Sequence, residues 1–205
     1  AMCRQTGVTN TFNMEELIDQ LVAFSCMPPA TGTNLLVGGG AGGKSVLSAD
    51  ECEEDGLRLH PIPADVREQL TAKDSFFGAW VTNPVDGSIM GGSNLTPHEV
   101  ITTIANSPEY DVVINSIGVG TGDPSRQTRA TRILEHTVDI ANNLGKPVAL
   151  IITDMTPDSP QQLEATIALR NKCIEDGFPI FPSIGRASRA TRRLVDYYRW
   201  RDGLD

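Results

Sequence analysis

Apolar positions along this chain switch between helical and strand spacing. Over 14–24, Leu17, Leu21 and Val22 fall on one face of a predicted helix, with Asn13 as its N-cap. The stretch 26–33 (CMPPATGT) is dense in Pro, Gly and Thr and reads as a linker. A regular alternation follows. Residues 34–37 read as a short apolar strand and 38–43 as a turn. Residues 45–55 read as a helix with Val46, Leu47 and Cys52 inward and a stop at Gly56. A second strand spans 57–59, and the next helix starts within 61–64 and runs to about residue 72, with Val66 and Leu70 inward. Residues 76–87 break the pattern and contain Asn83-Pro84-Val85-Asp86. The helix over 97–105 has Thr96 as N-cap and Pro97 at its first position. Residues 111–117 are apolar and β-branched, as in a strand buried on both faces. A second glycine loop (118–123), a long helix (124–144) ended by Gly145, and a strand (148–153) come next. A helix over 159–176 ended by Gly177, a strand over 178–181 and a closing helix over 188–199 complete the chain.

Five strands separated by helices predict an α/β fold with a parallel sheet and right-handed crossovers. The expected form is a flavodoxin-like doubly wound sheet with strand order 2-1-3-4-5. Residues 1–29 are expected to form an N-terminal helical connector and residues 30–205 the domain itself. Ligands of such sheets sit outside the carboxyl ends of the strands, where the strand order reverses. Here that point lies between the strands ending at Val37 and Ile117, and a glycine loop follows each.

Composition narrows the class. The net charge of −9 argues against non-specific binding to nucleic acid and to anionic membranes. The apolar runs are far shorter than the ~20 residues that span a bilayer, and no basic-then-apolar signal peptide opens the sequence. Ala1 before a Met reads as a cloning remnant. Cys3, Cys26, Cys52 and Cys173 are scattered without metal-ligand spacing, so reduced thiols, a cytoplasmic location and no metal site are expected. Arg186, Arg189, Arg192, Arg193, Arg199 and Arg201 crowd the last helix. They read as a solvated face with Asp196 mixed in, or more sharply as a surface for an anionic ligand or a partner.

The loop from Gly38 to Ser45 is the strongest chemical signal. Glycines let backbone N–H groups close on an oxyanion, and the following helix adds its free amides and positive dipole end. Gly39, Gly40, Gly42, Gly43, Lys44 and Ser45 are therefore the candidate phosphate-binding residues. Asn83, Asp86, Gly118 and Gly120 are candidate supports, with Asp86 placed to position the Gly42 loop or simply to bond its own backbone. The same loop satisfies G-x-x-x-x-G-K-[ST], so a P-loop nucleotide-binding protein using Lys44, Ser45 and Asp154 is the alternative. His60, His98 and His136 read as ordinary surface or packed histidines. Arg126, Arg129 and Arg132 read as a solvated face, although Arg126 stands near enough to the switch point to reach an anion.

An ordered set of segments resembles the flavodoxin-like ligase domain of NDP-forming acyl-CoA synthetases, relatives of succinyl-CoA synthetase. Cys3-Arg4-Gln5-Thr6-Gly7-Val8 with Glu15-Glu16-Leu17-Ile18-Asp19 looks like the connector entering that domain. Gly42-Gly43, Asp50, Gly56-Leu57 and Asn83-Pro84-Val85-Asp86 follow, the last being the most specific. Asp111-Val112-Val113, Gly145-Lys146-Pro147-Val148, Gly177-Phe178-Pro179-Ile180-Phe181 and the closing helix match in order and spacing. The resemblance implies an acid–thiol ligase in which phosphate passes between an acyl phosphate, an enzyme histidine and a nucleotide diphosphate. It places Gly42, Gly43 and the following turn at a helix start facing that phosphohistidine. It assigns no catalytic residue to this chain, no tightly bound cofactor, and ATP or ADP, Mg and CoA to the complete enzyme. The implied partners are a CoA-binding, phosphohistidine-bearing domain and an ATP-grasp domain. The chain then looks like a fragment or subunit, inactive alone. It departs from the family pattern in carrying Gly39 and Gly40 where an Asn usually precedes the glycine pair, and in carrying Lys44.

Overall fold

The computed structural model describes residues 6–40, 42–87, 93–118, 141–152 and 159–204, with the side chains of 79, 80 and 98 left aside. Its strands are β1 (Asn34–Gly38), β2 (Arg58–Leu59), β3 (Val112–Ile117), β4 (Val148–Ile152) and β5 (Ile180–Phe181). Among the described residues the helices are α1 (Met14–Cys26), α2 (Gly43–Glu54), α3 (Ala64–Lys73), the single turn α4 (Phe77–Trp80), α5 (Pro97–Ala105), α6 (Pro160–Glu175) and α7 (Ile184–Arg201). The five strands form one sheet in the order β2-β1-β3-β4-β5, all parallel, as the alternation of elements predicts. The expected helix over 124–144 and the loop over 118–123 lie almost wholly outside the described residues; 141–144 are helical.

Strand side chains alternate between two cores. Leu36, Val113, Ile117, Val148, Leu150 and Ile152 point to the face covered by α3, α4, α5 and α6. Leu35, Val37, Val112, Ile114, Ala149 and Ile151 point to the face covered by α1, α2 and α7. This period of two, with both faces apolar, is what a parallel strand covered on both sides requires.

Helix starts follow side-chain chemistry. Asn13, Thr96, Ser159 and Ser183 each accept an N–H from the first turn of α1, α5, α6 and α7, and Thr96 with Glu99 forms a reciprocal capping box. The Ser183 cap starts α7 four residues before the expected 188.

Two helix faces depart from expectation. Val46 and Leu47 of α2 are 62% and 64% exposed, whereas Ser45 and Cys52 are buried. In α1, Leu17 and Leu21 are exposed and the buried residues are Asp19, Gln20 and Ala23. The physical reason in α1 is ionic: Arg186 of α7 pairs with Asp19, and Arg193 pairs with Glu16 at 2.8 Å. The arginine-rich helix is therefore turned in good part toward the connector. Arg192 donates to the Gly56 carbonyl and pairs with Asp196, and Arg199 donates to the Thr31 carbonyl. No helix among the described residues is long and apolar enough to cross a membrane.

Candidate functional site

β1 ends in a glycine for a steric reason. A Cβ on Gly38 would lie 2.6 Å from the Ile101 side chain and 2.8 Å from Asn115 Oδ1. The next residue passes still closer to β3: a Cβ on Gly39 would lie 2.0 Å from the Ser116 carbonyl oxygen. Gly39, Gly40 and Gly42 take φ of 77°, 81° and 53°, which L side chains rarely adopt. The loop thus crosses the carboxyl end of β3 at the point where strand order reverses. Asn115 and Ser116 beneath it escaped the sequence reading, because nothing in their local pattern marks a strand end that a neighbouring loop crosses.

The segment around Asn83 holds this loop along its length. Asn83 Oδ1 accepts the Val37 N–H at 2.9 Å, and Nδ2 donates to the carbonyls of Leu35 at 2.6 Å and His60 at 2.9 Å. The Asn83–Pro84 peptide is cis, and Val85 pairs with Gly38 as a parallel bridge, its N–H donating to the Val37 carbonyl at 2.8 Å. The Gly87 N–H donates to the Gly40 carbonyl at 3.1 Å, and Asp86 Oδ2 accepts the Gly42 N–H at 2.8 Å. His60 stands beside this turn, its Nε2 2.5 Å from Glu109 Oε2.

α2 begins with Gly42 at its N-cap position and no side-chain cap. Within the first turn the Ser45 N–H bonds back to the Gly42 carbonyl at 3.0 Å. The amides of Gly43 and Lys44 meet no acceptor among the described residues, and space is open around both Gly42 and Gly43. Ser45 Oγ is buried without a hydrogen-bond partner among the described residues and lies 3.5 Å from the Cβ position of Gly40, on the loop side of the helix. Lys44 is exposed and forms no ion pair among the described residues. Two open amides, a dipole end and an unpartnered hydroxyl are the kinds of group with which an oxyanion pairs.

Of the sequence-derived candidates, Gly39, Gly40, Gly42, Gly43, Lys44, Ser45, Asn83 and Asp86 come together at this end of the sheet. Gly118 follows β3 directly and is exposed. Gly120, Arg126, Arg129, Arg132, His136 and Asp154 lie outside the described residues, as does Cys3. Cys26, Cys52 and Cys173 are free thiols, and burial pushes Cys52 up to about 12 and Cys173 to about 11. Among the described residues no group of three or more His, Cys, Asp or Glu is placed to hold a metal ion.

Comparison with known proteins adds an independent line. Residues 35–124 match the Ligase-CoA domain family. Over 204 residues the chain is 25% identical to the acetate–CoA ligase (ADP-forming) I subunit alpha of Pyrococcus furiosus, which covers 98% of this chain and 40% of that subunit. It is 29% identical over 118 residues to the 4-hydroxybutyrate–CoA ligase (ADP-forming) of Nitrosopumilus maritimus, covering 56% of this chain and 16% of that protein. In solved structures, the dinucleotide forming acetyl-coenzyme A synthetase 1 of Ca. Korarchaeum cryptofilum shares the fold. Its apo form has a TM-score of 0.70 at 23% identity, over 98% of this chain and 41% of that one. Its complex with phosphate and ADP gives 0.69 at 23% identity, over 98% and 40%. The chain therefore spans about 40% of the length of the alpha subunit it matches nearly end to end.

The P-loop alternative finds no support in these similarities, and in the loop itself the Gly42 amide is already taken by Asp86. The resemblance read from the sequence is borne out: residues 35–124 match the Ligase-CoA domain family, and nearly the whole chain is similar to an alpha subunit of the ADP-forming acetate–CoA ligases.

Proposed function

We propose that this chain is the second ligase-type domain of an NDP-forming acyl-CoA synthetase, present as a fragment or subunit, with residues 1–29 as connector and 30–205 as the ligase domain. Its task is to stabilise a phosphoryl group carried on a histidine of another domain. The observation that carries the reading is the open first turn of α2: among the described residues, the Gly43 and Lys44 amides have no acceptor and the buried Ser45 Oγ has no partner. Gly39, Gly40 and Gly42 shape the loop that presents them, and Asn83 and Asp86 hold it. Gly118, directly after β3, and Gly120 are the further supports of this reading.

The mechanism is electrostatic. Amide dipoles fixed before the phosphate arrives cost no reorganisation when charge moves, and such donors are worth most where water is excluded. The Lys44 ammonium opposes the helix dipole in the free domain and is compensated by a bound anion. ATP or ADP, Mg and CoA are used by the complete enzyme and held by the CoA-binding and ATP-grasp domains that the chain needs as partners. The setting is cytoplasmic.

Gly43→Asp in the complete synthetase tests this. The new side chain enters open space, and a carboxylate in the first helical turn stabilises a helix by about 0.3–1 kcal/mol. It also places a negative charge where the phosphate is to sit. The expected result is an intact or more stable fold with acyl-CoA synthesis reduced on the order of a hundredfold. Unchanged turnover would overturn the proposal. Acyl-CoA formation from acid, ATP and CoA by the purified chain alone would overturn its dependence on partner domains.

A further inference from the structure

The glycine loop has a conformational problem that Asp86 addresses. Three of its residues, Gly39, Gly40 and Gly42, stand at positive φ, and glycine loses more freedom on ordering than any other residue. Donors that stabilise charge must nevertheless be fixed in advance. Gly42 is the last residue before α2 and lacks a side chain with which to cap the helix. The cap arrives from outside, because Asp86 Oδ2 accepts the Gly42 N–H at 2.8 Å. Asp86 is itself held on both sides, since the Val85 and Gly87 amides donate to the Val37 and Gly40 carbonyls at 2.8 and 3.1 Å. The carboxylate therefore sits on a segment stitched to the loop on both sides of it, with the Gly42 amide as its target.

We infer that Asp86 is a positioning residue: it consumes the Gly42 amide and thereby aims the Gly43 and Lys44 amides at the phosphate. The inference rests on the proposed role of the loop. It has an electrostatic corollary. A carboxylate beside an anion site repels the anion, so its value here lies in geometry and its charge works against binding. An amide oxygen in the same place keeps the hydrogen bond and removes the repulsion.

That separation gives an ordered prediction for inorganic phosphate binding to the full 205-residue chain, followed through the backbone amide resonances of Gly43 and Lys44. Asp86→Asn binds phosphate as tightly as the wild type or more tightly. Asp86→Ala binds about tenfold more weakly, the scale of one lost hydrogen bond to a charged group. Asp86→Glu, which keeps the charge and misplaces it, weakens binding as Ala does and serves where Asp86→Ala does not fold. Rescue by Asn with loss in Ala or Glu supports the inference. Tighter binding in both Asn and Ala shows a competing anion rather than a positioner and overturns it. Equal binding in Ala, Glu and wild type overturns it too, while the loop still binds phosphate. Wild-type amides that do not respond to phosphate at all remove the phosphate role of the loop, and this inference with it.

Discussion

Arg186 grips Asp19 with two edges of its guanidinium, Nε at 2.6 Å and Nη2 at 2.8 Å from the two carboxylate oxygens. Asp19 is nearly buried between α1 and α7, where an amphipathic helix would ordinarily place a Leu. The fork geometry satisfies both oxygens, which is what makes a partly buried pair tolerable. Removing the carboxylate leaves the half-enclosed guanidinium only the exposed Glu15 carboxylate, 3.7 Å from Nη1, as counter-charge. Asp19→Ala is expected to lower stability by about 2–3 kcal/mol in urea denaturation. Arg186→Lys keeps the charge and loses the fork, and is expected to lose more than half of that amount. A midpoint unchanged by Asp19→Ala would show that the connector docks without this pair.

The same pair explains where the sequence was hard to read. Element order, sheet topology and the glycine loop were legible because strands buried on both faces are apolar runs, and because glycines mark a turn whatever surrounds it. The buried stripes of α1 and α2 were not. In α2 the sheet-facing residues are Ser45 and Cys52, with Ser48 and Ala49 half-buried between them, at spacings of three, four and seven. Small and polar residues fill that stripe, so a search for large apolar side chains settles on Val46 and Leu47, which lie one and two helical steps off it. In α1, Asp19 and Gln20 occupy the buried face because their partners lie more than 160 residues away, on α7. Long-range polar pairing of this kind has no local signature. Asp86 was legible as a turn residue within reach of the Gly42 loop, and its bond to the Gly42 N–H is seen only in the structure; the open amides of Gly43 and Lys44 likewise emerge only once the hydrogen bonds around them are accounted for.

Gly39 and Gly43 belong to one glycine-rich run and should respond oppositely to the same substitution. Gly39→Ala requires a side chain at φ of 77° with its Cβ 2.0 Å from the Ser116 carbonyl oxygen. The left-handed backbone alone costs about 1–2 kcal/mol, and the backbone collision adds to it. A loss of at least about 2 kcal/mol is expected. Gly43 lies inside α2 with nothing near its Cβ position, so Gly43→Ala gains helix propensity, up to about 1 kcal/mol. Paired thermal melts check this, and equal effects at the two positions would contradict the close passage of the loop over β3.

Asp55, at the end of α2, carries a pH dependence of definite sign. Burial pushes its carboxyl above the ordinary value, and Ser188 and Arg189 draw it back only in part; Oδ2 has no hydrogen-bond partner among the described residues. A carboxyl raised in the folded state binds protons more readily there than in the unfolded chain. Its penalty is absent below the unfolded value, grows as pH rises, and is complete above the folded value. Asp55→Asn should therefore match the wild type in acid and exceed it in denaturation midpoint at neutral pH. A gap between the two proteins that stays constant across that range would show that the charge of Asp55 is well solvated.

Asn83 offers a stricter test, because its amide uses both ends. The oxygen accepts from the Val37 N–H, and the nitrogen donates to the Leu35 and His60 carbonyls. Asn83→Ala removes three hydrogen bonds and leaves backbone groups of β1 without partners, at about 1 kcal/mol or more for each. A loss of about 3 kcal/mol is expected. Asn83→Asp preserves shape and the acceptor but turns the donor into a second acceptor facing two carbonyl oxygens. The charged form is then disfavoured in the folded state, so the carboxyl is raised on folding. A raised carboxyl leaves stability intact below its unfolded value and erodes it as pH climbs through the folded one. Asn83→Asp should thus approach the wild type in acid, where a protonated oxygen can donate in place of the amide, and fall well below it at neutral pH. Asn83→Ala should show no such slope relative to the wild type. Parallel urea titrations of the three proteins across that range measure the difference, and an Asn83→Asp protein that keeps wild-type stability at neutral pH would mean that the amide nitrogen is not the group bridging β1 to His60.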